Sequence, residues 1–138
     1  LEALDAAARL AQGGIEAEAL DYRCLRPLDA GTLLASVRKT GRLVVADAGW
    51  AAAGMSAEML ALVAERAHGS LVAAPRRVCL PDCPTPTSPV LADHYYPRAG
   101  HIVAAVRETL GLPADPSDLA VAAGVELDKP NPAFTGPF

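Results

Sequence analysis

A three-layer α/β fold with a mainly parallel sheet between helices is predicted by three observations. Segments of helical spacing alternate with short apolar runs along the 138 residues, the order expected of βαβ units with right-handed crossovers. Leu43, Val44, Val45 and Ala46 follow one another without a polar interruption, as in a strand covered on both faces. The chain is 51% hydrophobic but only 4% aromatic, so its core is assembled from closely packed aliphatic side chains. A chain of this length has room for one core. Residues 1–112 are assigned to it, and residues 113–138, rich in proline, to a tail.

The elements follow in order. Leu1, Leu4, Ala8 and Ala11 recur at helical spacing and Gly13-Gly14 stops the pattern, predicting a helix over residues 1–12 whose apolar stripe is that set. Residues 15–22 alternate Ile15, Ala17 and Ala19 with Glu16 and Glu18, the pattern of a strand with one face less buried. Asp29 can accept hydrogen bonds from the free amides of a helix over residues 30–40, with Leu33, Leu34 and Val37 as its inner face and Gly41 as its end. After the central strand at residues 42–47, Ser56 is the expected cap of a third helix. That helix turns Met59, Leu60, Leu62 and Val63 inward and ends at His68-Gly69. Residues 76–80 read as the next strand.

Five prolines between residues 81 and 97 each remove a backbone donor, predicting a long loop without regular structure. Helical spacing resumes through Ile102, Val103 and Val106 over residues 98–110. The tail is expected to be extended, with Phe134 and Phe138 pinning it to the domain or to a partner.

Composition narrows the function. A net charge of −4 and the absence of any basic cluster beyond Arg38-Lys39 and Arg76-Arg77 argue against nucleic acid as a partner. No apolar run approaches the ~20 residues of a membrane span, and the first residues carry acids where a signal peptide carries a basic leader. The expectation is a cytoplasmic protein with reduced thiols at Cys24, Cys79 and Cys83, an odd number that makes a poor disulfide framework. The chain opens within a helix, as a piece of something longer would.

The candidates for chemistry are few. Asp21, Asp47 and Asp82 stand at strand ends, where open parallel sheets bind ligands, and could converge on a divalent cation. No phosphate-cradling glycine loop accompanies them, and Asp is also an ordinary loop-starting residue. Cys79 and Cys83 lack zinc-ligand spacing. His68, His94 and His101 have no activated Ser or Cys to serve, so His101 is expected to face solvent and His94 to lie beside Tyr95 and Tyr96. Trp50, between Gly49 and Gly54, sits where an interface often places an anchor and where a Trp equally often caps the edge of a core.

Several strings occur in one order: LRPLD at residues 25–29, KTGRLVV at residues 39–45, Gly49-Trp50 followed by Ala57-Glu58, and Asp82-x-Pro84-x-Pro86 in the proline loop. Together they resemble the carboxyl-terminal, transketolase-like domain of the β-subunit of thiamine-diphosphate-dependent 2-oxoacid dehydrogenases of the pyruvate, branched-chain and acetoin type. The resemblance spans about residues 1–112. It implies an oxidoreductase of a multienzyme complex that oxidatively decarboxylates a 2-oxoacid and passes the acyl group to lipoyl lysine. In that family thiamine diphosphate and Mg²⁺ lie between an α-subunit with a Gly-Asp-Gly motif and the amino-terminal domain of the β-subunit. Gly-Asp-Gly occurs nowhere here, so no catalytic, cofactor-binding or metal-binding residue is carried over, and this chain alone is expected to be inactive.

What the resemblance does imply is assembly. The partners would be a second β-subunit, the α-subunit of a heterotetramer and the subunit-binding domain of the acyltransferase core. Trp50, Met55, Met59, Tyr95 and Tyr96 are the large side chains available for an apolar contact, with Asp82, Asp93 and Glu108 as acidic partners for basic docking residues. Two strands that the family places before its first helix are missing here, one of them central to the sheet. A free-standing, non-catalytic binding module of the same fold is the alternative.

Overall fold

The computed structural model describes residues 1–92, 94–113 and 115–120. Five helices and two strands succeed one another: α1 (Glu2–Gln12), α2 (Ala30–Thr40), β1 (Val44–Trp50), α3 (Met55–Ala67), β2 (Arg76–Leu80), α4 (Pro89–Ala92) and α5 (Ala99–Thr109). Short 3₁₀ turns at His68–Ser70 and Pro116–Leu119 complete the described elements. β1 and β2 pair in parallel, Val44 opposite Arg76 and Asp47 opposite Cys79, with an irregularity before Trp50 meets Leu80. α3 packs on β1, and α5 touches both strands. The arrangement is that of a partial α/β domain.

Local chemistry accounts for most boundaries. Asp29 caps α2, its Oδ1 accepting from the Thr32 amide at 3.0 Å and its Oδ2 from the Thr32 hydroxyl at 2.6 Å. Those bonds stabilise the ionised form and hold the Asp29 carboxyl below the usual carboxylate range. Gly41 ends α2 with φ at 70°, a left-handed conformation that glycine adopts without steric cost. Val72 lies against it, and the Val72 amide donates to the Gly41 carbonyl at 2.9 Å. The helix over residues 30–40 and the strand over residues 76–80 therefore form as the sequence predicts.

The core divides in two. Leu33, Leu34, Val37, Val45, Met59, Val63 and Ala67 bury one cluster between α2, β1 and α3. Ala6 and Leu10 of α1 bury the other with Ala99 and Val103 of α5. The α1–α5 pair is also joined by a polar tie: Oε2 of Glu2 accepts from the Ala99 amide at 2.7 Å, and Oε1 lies 3.5 Å from an Arg98 guanidinium nitrogen. A carboxylate at that position meets both the orphan amides and the positive end of the α5 dipole.

Four expectations are corrected. α1 buries Ala6 and Leu10, whereas Leu1, Leu4, Ala8 and Ala11 are exposed, Leu4 at 63%; helical periodicity fits both faces, and the position of α5 decides between them. Residues 15–22 form no strand, because a strand exists only where a neighbour completes its ladder. Ser56 is not the cap of α3. It lies inside the helix, fully buried, and its amide donates to Oδ2 of Asp47 at 3.1 Å, so a residue in the middle of β1 supplies the cap instead. The proline loop holds one helical turn, α4, started by Pro89 at the position where a missing amide costs nothing.

Of the tail, the Pro116–Leu119 turn departs from the extended course expected of it. Phe134 and Phe138 lie outside the described residues.

Candidate interaction surface

The parallel pairing gathers several of the predicted residues at one end of the sheet. Because Trp50 stands opposite Leu80, the segment that follows β1 and the proline loop that follows β2 leave the sheet side by side. Trp50 is 52% exposed. Gly54, which precedes α3, approaches the Trp50 carbonyl so closely that a Cβ there would overlap it. Arg77 of β2 donates to the Ala51 carbonyl at 2.5 Å, fixing the loop to the neighbouring strand. Met55 is half-buried at the start of α3, and Asp82 is exposed two residues beyond β2.

The proline loop is held from beneath by Tyr95, whose hydroxyl donates to the Cys83 carbonyl at 3.3 Å and accepts from Thr85 at 3.2 Å. Tyr96 meets Tyr95 edge to face, with centroids 5.0 Å apart, the favoured arrangement for two quadrupoles. A shallow cavity of about 260 Å³ opens here, lined by Pro81, Pro84, Pro86, Leu91, His94 and Tyr95 among others.

Two of the residues expected to anchor a contact do other work. Met59, 6% exposed, belongs to the core between α2 and α3, and Tyr95, 4% exposed, is spent on the loop. Their size suggested surface anchors, but size alone does not say which way a side chain faces. Trp50, Met55, Asp82 and Tyr96 remain as surface or half-buried groups. Glu108 forms an ion pair with Arg76 at 2.6 Å, which holds its carboxyl below the usual range. Asp93 lies outside the described residues.

Asp21, Asp47 and Asp82, expected at strand ends, do not converge. Asp47 serves the amides of Gly49, at 2.9 Å, and Ser56; Asp21 pairs with Arg23 at 3.0 Å on the surface. Among the described residues no group of three or more His, Cys, Asp or Glu is placed to hold a metal ion. Cys79 Sγ lies 3.3 Å from the Ser56 hydroxyl. His101 is exposed, and its Nδ1 accepts from the Arg98 amide at 2.9 Å, closing the first turn of α5. No helix among the described residues is long and apolar enough to cross a membrane.

Sequence reasoning overlooked Glu2 and Asp47 as caps of distant helices. Glu2 opens α1 and Asp47 lies within β1, and the capped amide is 97 residues away for Glu2 and nine for Asp47.

A partial α/β domain whose polar side chains mostly serve its own caps and loops, with exposed apolar groups around its edges, is the class that this geometry defines. The chain belongs to the transketolase C-terminal domain family, whose model matches residues 1–102. It is 49% identical over 108 residues to the β-subunit of the acetoin:2,6-dichlorophenolindophenol oxidoreductase of Cupriavidus necator, covering 78% of this chain and 32% of that protein. It is 37% identical over 110 residues to the mitochondrial pyruvate dehydrogenase E1 component subunit beta of Homo sapiens, covering 79% of this chain and 31% of that protein. Among solved structures, a chain described as a split gene transketolase, inactive beta4 tetramer, superposes with a TM-score of 0.69 at 30% identity, over 80% of this chain and 36% of that one. The chain spans about a third of the length of the curated relatives it matches.

Proposed function

We propose that this chain is the carboxyl-terminal assembly part of the β-subunit of a 2-oxoacid or acetoin dehydrogenase, working in the cytoplasm. Its similarity to β-subunits of acetoin and pyruvate enzymes supports the family of reaction. Its own contribution is contact: with a second β-subunit, with an α-subunit, and with the subunit-binding domain of an acyltransferase core. Trp50, Met55, Asp82 and Tyr96 form the apolar and acidic surface offered to the last of these.

Thiamine diphosphate and Mg²⁺ would be held outside this chain. The described residues do not fit that group, since Asp47 and Asp21 are engaged separately and the sequence has no Gly-Asp-Gly. No step of the reaction is assigned to them.

The observation that carries the reading is the uncovered apolar face of α1. Leu1 and Leu4 are exposed together with Ala8 and Ala11, on the side of the helix away from Ala6 and Leu10. An apolar stripe in water marks a contact to be made. Leu4→Glu in the protein as its gene encodes it should shift the assembled species to a smaller mass in size-exclusion chromatography with light scattering, with the circular dichroism spectrum retained. An unchanged mass with the α-subunit still bound would count against an assembly role for this face.

A further inference from the structure

The groove between the carboxyl half of α1 and α5 is roofed by the Pro116–Leu119 turn. A cavity of about 120 Å³ lies beneath, lined by Arg9, Leu10 and Ile15 on one side and by Val103, Arg107 and Asp118 on the other. The turn is organised by Asp115, whose Oδ1 accepts from the Ser117 amide at 2.9 Å and from its hydroxyl at 2.6 Å. The side chain of Asp118 is only 12% exposed. Its Oδ2, otherwise without a hydrogen bond among the described residues, lies 3.3 Å from Nε of Arg107. Arg107 also donates to the Pro113 carbonyl at 3.2 Å, so one guanidinium holds both the approach to the turn and its acidic residue.

Gly100 shows how closely the turn seats. It is buried in the first turn of α5, and a Cβ built on it would overlap the Asp118 carbonyl oxygen. Glycine is a poor helix residue, and at this position the close approach of a second backbone is what it permits.

We infer that Pro113 and residues 115–119 form a clasp, seated on Gly100 and latched by Arg107–Asp118, that holds to α5 and shields the cavity between α5 and α1. With the clasp lifted, Arg107 loses the acceptors Pro113 and Asp118, and the cleft beside Arg9 opens to solvent. The cover over the α1–α5 cleft is thus set by the first described residues beyond α5.

Hydrogen–deuterium exchange of the protein as its gene encodes it, with Gly100→Ala and Asp118→Asn, tests this. In the unaltered protein the amides of Asp118 and Ala120, bonded to Asp115 and Ser117, should exchange at least tenfold more slowly than unstructured chain. Gly100→Ala should abolish that protection, speed exchange in both α1 and α5, and lower the melting temperature, although alanine is the better helix former. Asp118→Asn keeps the shape of the turn and removes the charge pair, and should speed exchange over residues 115–120 several-fold with the circular dichroism spectrum unchanged. A rise in melting temperature for Gly100→Ala with the turn still protected would overturn the clasp, as would unstructured exchange rates in the unaltered protein. An unchanged rate in Asp118→Asn would overturn the latch.

Discussion

Leu33, Leu34, Val37, Val45, Met59 and Val63 meet between α2, β1 and α3, whereas Ala6, Leu10, Ala99 and Val103 are the buried residues that join α1 to α5. The first cluster uses large aliphatic side chains on three elements and needs no polar tie inside it. The second uses two alanines, which let the helices approach but bury little area, and it is supplemented at its edge by Glu2 on the amide of Ala99. Burial stabilises by roughly 25 cal/mol per Å² of apolar surface, so the first region carries most of the stability of the chain. The second owes a larger share of its own to electrostatics and capping, and has a lower threshold for opening.

Breaking the first region should have the largest effect. Leu33→Ala removes a side chain 2% exposed and should cost about 2–5 kcal/mol, read as a fall in the denaturant midpoint with the whole chain unfolding together. Val103→Ala in the second region should cost roughly 1–2 kcal/mol and show itself first as faster hydrogen exchange in α1 and α5. Glu2→Gln keeps the shape and removes the charge that faces the α5 terminus and Arg98. About 1 kcal/mol is expected, again confined to the α1–α5 pair. Equal losses of protection in α2 and α3 would show that the two regions are one cooperative unit.

The smallest effect concerns pH. Thr32 holds the Asp29 carboxyl below its ordinary range. A depressed folded-state pKa gives stability that is present above the unfolded value and is lost as pH falls through the folded one. Asp29→Asn, an equally good cap, should leave stability near neutrality almost unchanged and flatten its decline on acidification. Thermal melts between pH 7 and the acid limb check this.

The same two regions explain what the sequence disclosed. The helix over residues 30–40 was legible because Asp29, the Leu33-Leu34-Val37 face and Gly41 all agree, and each signal is local. β2 was legible because RRVCL is a short run with turn residues on either side. The buried face of α1 was not legible: Leu4 is a stronger apolar signal than Ala6, yet Ala6 is the residue that α5 covers. Nor was the role of Asp47, which reaches across to α3 while Ser56 looks like the cap in sequence.

The positions of Trp50, last in β1, and of Asp82, two residues beyond β2, at one end of the sheet were legible, since each stands beside an apolar run. Met59 and Tyr95 were misplaced because their outward or inward direction depends on packing between elements distant in sequence. Asp93 and the end of the tail lie outside the described residues.

Residues 16–24 carry the question furthest. They belong to no helix or strand, and among the described residues none of their amides or carbonyls takes part in a backbone hydrogen bond; β1 likewise is paired on one side only among the described strands. A segment with free backbone groups is open to pairing. If the chain works as part of a larger assembly, those groups are satisfied there. Hydrogen–deuterium exchange over residues 16–24 in the native assembly, isolated with its partner subunits, tests this directly. The account predicts exchange slowed by several orders of magnitude relative to unstructured chain. Exchange at the unstructured rate in the intact assembly would contradict it.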